Sequence, residues 1–485
     1  MAFDRLTSHL AGYLPINLIE ALSSLGIVVI YSRLLTPEQY GRYALAVTAM
    51  QWLQTLLFYW LHSGVARFFE ARRTHGRVPA LLVTSYVAAL ALSGLLAIGV
   101  GYVAAGLSDQ WRWLVLAGLV SLVARALLLI GLEAHRAGRE VRRYSGLEGL
   151  QYLMSLGLGA LLVSGTGGGA AAILWATTLA CLLVLLLDTR YLAKLMSPPA
   201  WSGDELRLLI RYGAPLAASV LLGQIIAKSD RFFIAWLMDE KAVGIYSVAY
   251  ALIDRPSTII FNWLGMAAVP LAFAAMERDG PAAAREVMAK TAKTLVLLLL
   301  PCTTGLAIVA EPLAAVLFGA EFRHEAARLI PWIALASLLY GAMIHYAAHA
   351  FMVTKNTRLL LMTSLFVLVL NMILNLLLIP LFGLDGAVAA SITTYGLGLT
   401  LRLIIARRFF PLPLAVSHLI RGLLACGVMA GVIWSAALAP TLVGLMLAIL
   451  LGVVSYVVGA LLLNVADCRD ALVINWRRRM GRGMH

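Results

Sequence analysis

The sequence predicts an all-α polytopic membrane protein of about fourteen transmembrane helices, built as two six-helix lobes in parallel repeat plus a C-terminal helix pair. Three observations predict it. The 485 residues are 61% hydrophobic and 13% charged, where an ordinary soluble domain carries about 25% charged residues. Apolar stretches recur at close to the ~20 residues that a helix needs to cross a bilayer. Two sequence patterns of the first half also return, in the same order, in the second.

The apolar stretches lie at 9–32, 42–63, 79–104, 111–134, 145–164, 170–189, 209–236, 243–271, 291–312, 326–353, 359–380, 386–406, 417–438 and 441–464. The first is too long for a cleaved signal and is interrupted by Glu20, so it reads as a spanning helix. The links are short and punctuated by Gly and Pro, as in GTGGG at 165–169 and PP at 198–199. Backbone groups in hydrocarbon must bond internally, which makes the spans helical. The four cysteines, Cys181, Cys302, Cys426 and Cys468, are far apart and imply no disulfide framework. Trp111 and Trp113 suit an interfacial belt, and Pro215, Pro256 and Pro301 sit where they can kink helices.

Lys and Arg fix the expected orientation. With the N-terminus inside, the outer links hold Arg33, Arg42, Arg112, Lys241, Arg323 and Arg328, and the spans hold Arg125, Lys228, Arg231 and Arg255. The other 28 of the 38, Arg402 among them, fall on inner segments. Such alternation places both termini in the cytoplasm. It also turns the net charge of +14 into a topology signal, and no nucleic-acid partner is expected.

Residues 34–46, LLTPEQYGRYALA, align without gaps to 237–249, LMDEKAVGIYSVA, and GAAAILWAT at 169–177 aligns to GAVAASITT at 386–394. A repeat of six helices keeps its direction across the membrane, so the halves are parallel, a plan known among transporters. The expected divisions are an N-terminal lobe at 1–195, a C-terminal lobe at 196–410, and a helix pair with a basic tail at 411–485. Ser202 is placed to cap the helix after the linker.

Charges inside spans are expensive and mark substrate or ion paths. The set is Glu20, Arg125, Lys228, Asp230, Arg231, Asp254 and Arg255, and a single wet chamber between the lobes is the expected meeting place. Arg125, Lys228, Arg231 and Arg255 would bind an anionic group, since guanidinium grips phosphate or carboxylate through parallel bonds. Glu20, Asp230 and Asp254 would form cavity ion pairs or couple transport to H+ or Na+. The alternative is a set of structural ion pairs. His345 and His349 share a helix face, with packing or cavity lining the favoured role. Asn371 and Asn375 suit interhelical hydrogen bonding. No metal site and no cofactor are expected. No G-x-x-x-x-G-K-[ST], H-E-x-x-H or G-x-S-x-G occurs, so neither ATP-driven transport nor enzymatic catalysis is expected.

SRLLTPEQYGRYALA at 32–46, GAP at 213–215, SDRFFIAWLM at 229–238 and VGIYSVAYALID at 243–254 carry a resemblance over essentially the whole chain. It resembles the polysaccharide transporter branch of the multidrug/oligosaccharidyl-lipid/polysaccharide (MOP) flippase superfamily, Wzx-like. The resemblance implies a multi-pass transporter of a bacterial inner membrane that turns a polyprenyl-diphosphate-linked oligosaccharide to the outer leaflet by alternating access, for O-antigen, lipopolysaccharide or exopolysaccharide synthesis. It implies as partners that lipid-linked oligosaccharide, membrane lipids, a polysaccharide polymerase and a chain-length regulator, with the transporter itself a monomer. The related lipid II flippases carry arginine within helices 1 and 2. Here helix 1 has Glu20 and helix 2 no internal charge, which argues against lipid II. A drug/ion antiporter like the multidrug (MATE) relatives and a non-transporting scaffold for glycan assembly are the other readings.

Overall fold

The computed structural model describes residues 2–470, and the side chains of all of these except 2–15, 17, 255, 262, 263, 266 and 267. Each apolar stretch of the sequence falls on helix, and no strand occurs among the described residues. The helices are α1 (Ala2–Leu34), α2 (Pro37–Thr74), α3 (Val78–Ala105), α4 (Asp109–Ala137), α5 (Val141–Thr166), α6 (Gly169–Leu195), α7 (Gly203–Lys228) and α8 (Asp230–Leu237). They continue as α9 (Glu240–Arg278), α10 (Gly280–Ile308), α11 (Ala310–Leu317), α12 (Ala320–Ala342), a π turn (Met343–Ala347), α13 (Ala348–Val353), α14 (Thr357–Ala406), α15 (Val416–Ser435) and α16 (Leu442–Leu462). Eleven helices of the described residues are long and apolar enough to cross a membrane. One of them, α14, carries two of the expected segments and turns between them at Gly383, whose φ of +60° favours glycine.

The chain forms two compact units, Met1–Phe232 and Phe233–His485. In unit 1 the core joins Phe58, Leu61 and Val65 of α2, Leu81 and Leu82 of α3, Leu122 and Ile130 of α4, and Leu209 of α7. Glycine lets α7 come close to α2: a Cβ on Gly213 would stand 2.5 Å from the Trp60 backbone, and one on Gly64 2.2 Å from a Leu209 methyl. Such small-residue contacts are the usual way for helices to pack closely in lipid. The linker of residues 196–202 is tied to the same unit. Ser202 accepts the Glu205 amide at 3.3 Å, and its own amide donates to Thr84 Oγ1 at 3.0 Å. The buried Glu205 carboxylate accepts from Arg72 Nε at 3.0 Å.

In unit 2 the core joins Phe261 and Ala272 of α9, Met288, Leu295 and Leu299 of α10, and Tyr346, Phe351 and Phe410. α15 and α16 pack on α10 through Leu300, Cys426, Met429 and Tyr456, and the Tyr456 hydroxyl donates to Leu297 O at 2.9 Å. The repeated sequence pattern marks the same local structure in both halves. Thr36 Oγ1 accepts the Gln39 amide to open α2, and Asp239 Oδ1 accepts the Ala242 amide to open α9. In each case the chain uses a short polar side chain to satisfy an orphan N–H of the first turn.

Candidate functional site

The stretch 209–236 reads in the sequence as one helix. The structure divides it into α7, ending at Lys228, and α8, beginning at Asp230. Ser229 between them keeps helical dihedrals of φ −63° and ψ −27°, so the helical course continues through a locally tightened turn. At Ser229 the ladder closes, with the Ser229 amide on Ile225 O and the Phe232 amide on Ser229 O, both at 2.9 Å. The run Lys-Ser-Asp-Arg at 228–231 puts three charged side chains on this turn. Lys228 Nζ donates to Gln51 Oε1 of α2 at 2.5 Å. Asp230 and Arg231 are buried, at 1% and 8% exposure. Charged side chains buried inside apolar spans are expensive, and in membrane proteins they mark substrate or ion paths.

The sequence of α2 has no charge inside the stretch 42–63 beyond its first residue. The structure makes α2 polar in another way. Thr55 Oγ1 donates to Gln224 Oε1 of α7 at 3.1 Å, and Trp52 lies on Phe232 with ring centroids 4.8 Å apart. The amide of Gln54 and the indole N–H of Trp52 are buried with no hydrogen-bond partner. Such orphaned groups are rare in folded proteins and call for a partner, whether water, ion or substrate. Gln51 and Gln54 inside an otherwise apolar span were the available signal.

Arg125 sits at mid-length on α4, half-buried within unit 1. Its Nη1 donates to Gln151 Oε1 at 2.7 Å and its Nη2 to Glu148 Oε1 at 3.4 Å, while its guanidinium lies 5.7 Å from the Tyr152 ring centroid. Glu148 was missed in the sequence although it lies inside the stretch 145–164, and it supplies the carboxylate that Arg125 uses. Glu20 is half-buried on α1. Asp254 is half-buried on α9 and accepts from Thr258 Oγ1 at 3.5 Å. The side chain of Arg255 lies outside the described residues.

Each unit also holds a polar node that the sequence did not single out. In unit 1, Asp188 of α6 accepts from His135 Nε2 at 2.6 Å and from Arg143 Nε and Nη2 at 2.8 and 2.6 Å. His135 Nδ1 meets Glu140 at 3.0 Å, Tyr191 donates to the same carboxylate, and Arg143 covers the Tyr191 ring at 4.0 Å. In unit 2, Arg402 is fully buried. The sequence counted it with the inner segments, at the end of the stretch 386–406. It stands four residues before the end of α14, on a face packed against the π turn, where Nη1 donates to Met343 O at 3.0 Å and Nη2 to Ser364 Oγ at 2.8 Å. His345 lies within that π turn and stacks on Phe261 at 4.9 Å. His349 is buried with Nδ1 unpartnered. Asn375 Nδ2 donates to Asn371 Oδ1 at 3.0 Å along α14. No group of three metal-ligating side chains occurs among the described residues.

The sequence profile of a family described as "Polysaccharide biosynthesis protein" matches residues 30–327. No curated protein matches the chain. Among solved structures, the chain is similar to the lipid II flippase MurJ in an inward closed conformation, with TM-score 0.75, 13% identity, and 94% of this chain and 98% of that one covered. It is similar to a multidrug resistance MATE family transporter of the MOP superfamily in an inward-facing conformation, with TM-score 0.60, 16% identity, and 80% and 94% covered. It is also similar to a MOP superfamily transporter from Pyrococcus furiosus, with TM-score 0.57, 15% identity, and 81% and 93% covered. At these identities the likeness establishes a shared fold.

Proposed function

This chain belongs to the polysaccharide biosynthesis protein family, and from that premise we propose that it moves a polyprenyl-diphosphate-linked oligosaccharide from the inner to the outer leaflet of a bacterial inner membrane by alternating access. Fourteen crossings with both termini inside, and lobes at 1–195 and 196–410, are part of the proposal. So is the supply of cell-surface polysaccharide such as O-antigen or exopolysaccharide. The observation that carries it is the charge cluster around Ser229, where Asp230 and Arg231 are buried and Lys228 donates to Gln51 on the polar face of α2. A diphosphate is an anionic, multi-oxygen group suited to such donors. Arg231, Lys228, Arg125 and Arg255 are assigned to the substrate; Asp230, Glu20 and Asp254 are assigned to ion pairing or to coupling by H+ or Na+.

The test is complementation of a strain lacking the gene, with extraction of its lipid-linked glycans. The wild-type chain clears the lipid-linked oligosaccharide that accumulates in the inner leaflet. Arg231→Ala leaves at least ten times more of it, at an unchanged level of folded protein. Loss of the protein itself would support the scaffold reading, in which these charges only hold the fold. A second reading, a drug/ion antiporter, is favoured by the fold shared with multidrug transporters. Raised resistance to cationic dyes on expression, with no change in lipid-linked glycan, would establish it in place of the first.

A further inference from the structure

Apart from these charges, unit 1 contains an open cleft of about 640 Å3 at the end where α2, α4 and α6 begin. It is lined by Gln39 and Arg42 of α2, Gln110 and Trp113 of α4, Trp175 of α6, and the glycine loop 167–169. The basic runs at 67–77, 136–143 and 190–194 lie at the opposite ends of these helices, which puts the cleft on the outer side of the membrane.

Its polar groups are held in place. Arg42 Nη1 donates to Gln110 Oε1 at 2.6 Å, and the Thr36 amide donates to Gln39 Oε1 at 3.3 Å. The lip opposite comes close because it lacks side chains: Gly167 and Gly169 have φ of +63° and +54°, and a Cβ on Gly169 would stand 3.2 Å from Gln39 Nε2. Trp113 and Trp175 are 61% and 41% exposed. A guanidinium and two amides beside two indoles match the chemistry of a sugar ring, which offers hydroxyls at its edge and an apolar C–H face. A lipid tail would leave the polar trio unused, and a bare phosphate would leave the indoles unused. The volume lies within the ~300–1,000 Å3 of small-molecule sites.

We propose that this cleft binds a pyranose ring of the glycan on the outer side of the membrane. It rests on the transport reading only for the source of that sugar. Trp113 and Trp175 take the ring's apolar face; Arg42, Gln39 and Gln110 take its hydroxyls. Saturation-transfer NMR tests it on the full chain in phospholipid nanodiscs free of sugar detergents. The probes are methyl glycosides of glucose, galactose, mannose, N-acetylglucosamine and glucuronate. At least one is expected to show saturable transfer, weakened five-fold or more by Trp175→Leu and by Arg42→Gln. Trp201→Leu, on the linker, leaves it unchanged. Gln110→Ala replaces Arg42→Gln if the latter lowers the yield of folded protein. No saturable transfer from any of the five, or a signal equal in the wild type and both cleft variants, overturns the proposal. Free glycosides report on the cleft alone, so that failure would leave the complementation result standing.

Discussion

The polar nodes of the two units sit near the C-terminal ends of helices that the sequence repeat makes equivalent, α6 and the second limb of α14, and they are built on opposite principles. In unit 1 the node is a set of mutual charges: Asp188 is shared by His135 and Arg143, and Glu140 by His135 and Tyr191. In unit 2 it is one buried guanidinium with neutral acceptors, a backbone carbonyl and a hydroxyl. Arg402 forms no ion pair among the described residues, and its Nε is buried without a partner. A π turn widens the ladder, and its first residue, Met343, provides the carbonyl that Arg402 takes. Duplication thus conserved the helical frame while the chemistry inside each copy went its own way. A charge can be retained in a membrane protein either by matching charges or by reshaping backbone around it.

The largest effect should follow from removing the anion on which two partners depend. Asp188→Ala leaves Arg143 and His135 without it, and breaking a buried pair costs about 3–5 kcal/mol. Thermal unfolding of the purified protein checks this; a loss below about 1 kcal/mol would mean that the node of unit 1 is not held by charge. Next comes Arg402→Ala, expected to cost about 2–4 kcal/mol through a cavity and two abandoned acceptors. Arg402→Met should recover most of it, because an apolar side chain of similar volume often replaces a buried charge with little penalty. If Met is as damaging as Ala, the hydrogen bonds and not the volume hold unit 2 together, and the contrast between the nodes narrows.

The smallest effect concerns pH and the C-terminal helix pair. Lys293 Nζ donates to Asp467 Oδ2 at 2.6 Å, and that bond holds the Asp467 carboxyl below its ordinary value, helped by the charges of Lys293, His418 and Arg421 and opposed by partial burial. A depressed carboxylate contributes stability above its unfolded value, and the contribution is lost as pH falls through the folded one. The unfolding temperature should therefore be flat in this respect from neutral pH down to the ordinary value of 3.8 and decline below it. The pair is half-exposed, so the loss is under about 1 kcal/mol. Asp467→Asn should remove that acid-dependent part and leave the rest of the profile intact.

The fold class was legible because hydropathy, Gly and Pro punctuation, and Lys and Arg placement act over whole segments. The repeat was legible because Leu34, Gly41, Tyr43 and Ala46 recur without a gap as Leu237, Gly244, Tyr246 and Ala249. The tightened turn at Ser229 was not, since one i→i−3 bond, Phe232 N to Ser229 O, leaves no mark in hydropathy. Nor was the site's polar wall. Gln51 and Gln54 carry no charge, and a search for charges passes over them. The acid that holds Arg125 also went unseen, because Glu148 lies 23 residues away on the next helix. The burial of Arg402 went unseen because it stands four residues before the end of α14, where a helix end and a buried helical face look alike in sequence.

The close approach of Gly213 and Gly64 bears on how the polypeptide can be cut. By repetition the second half begins at the linker, but α7 is packed into the core of the first. Two co-expressed fragments severed among the prolines at 198–199 would leave the first without Leu209 in its interior. A seam placed after Phe232 would give each fragment its whole packing unit, and reassembly into a working protein should be more efficient from that pair.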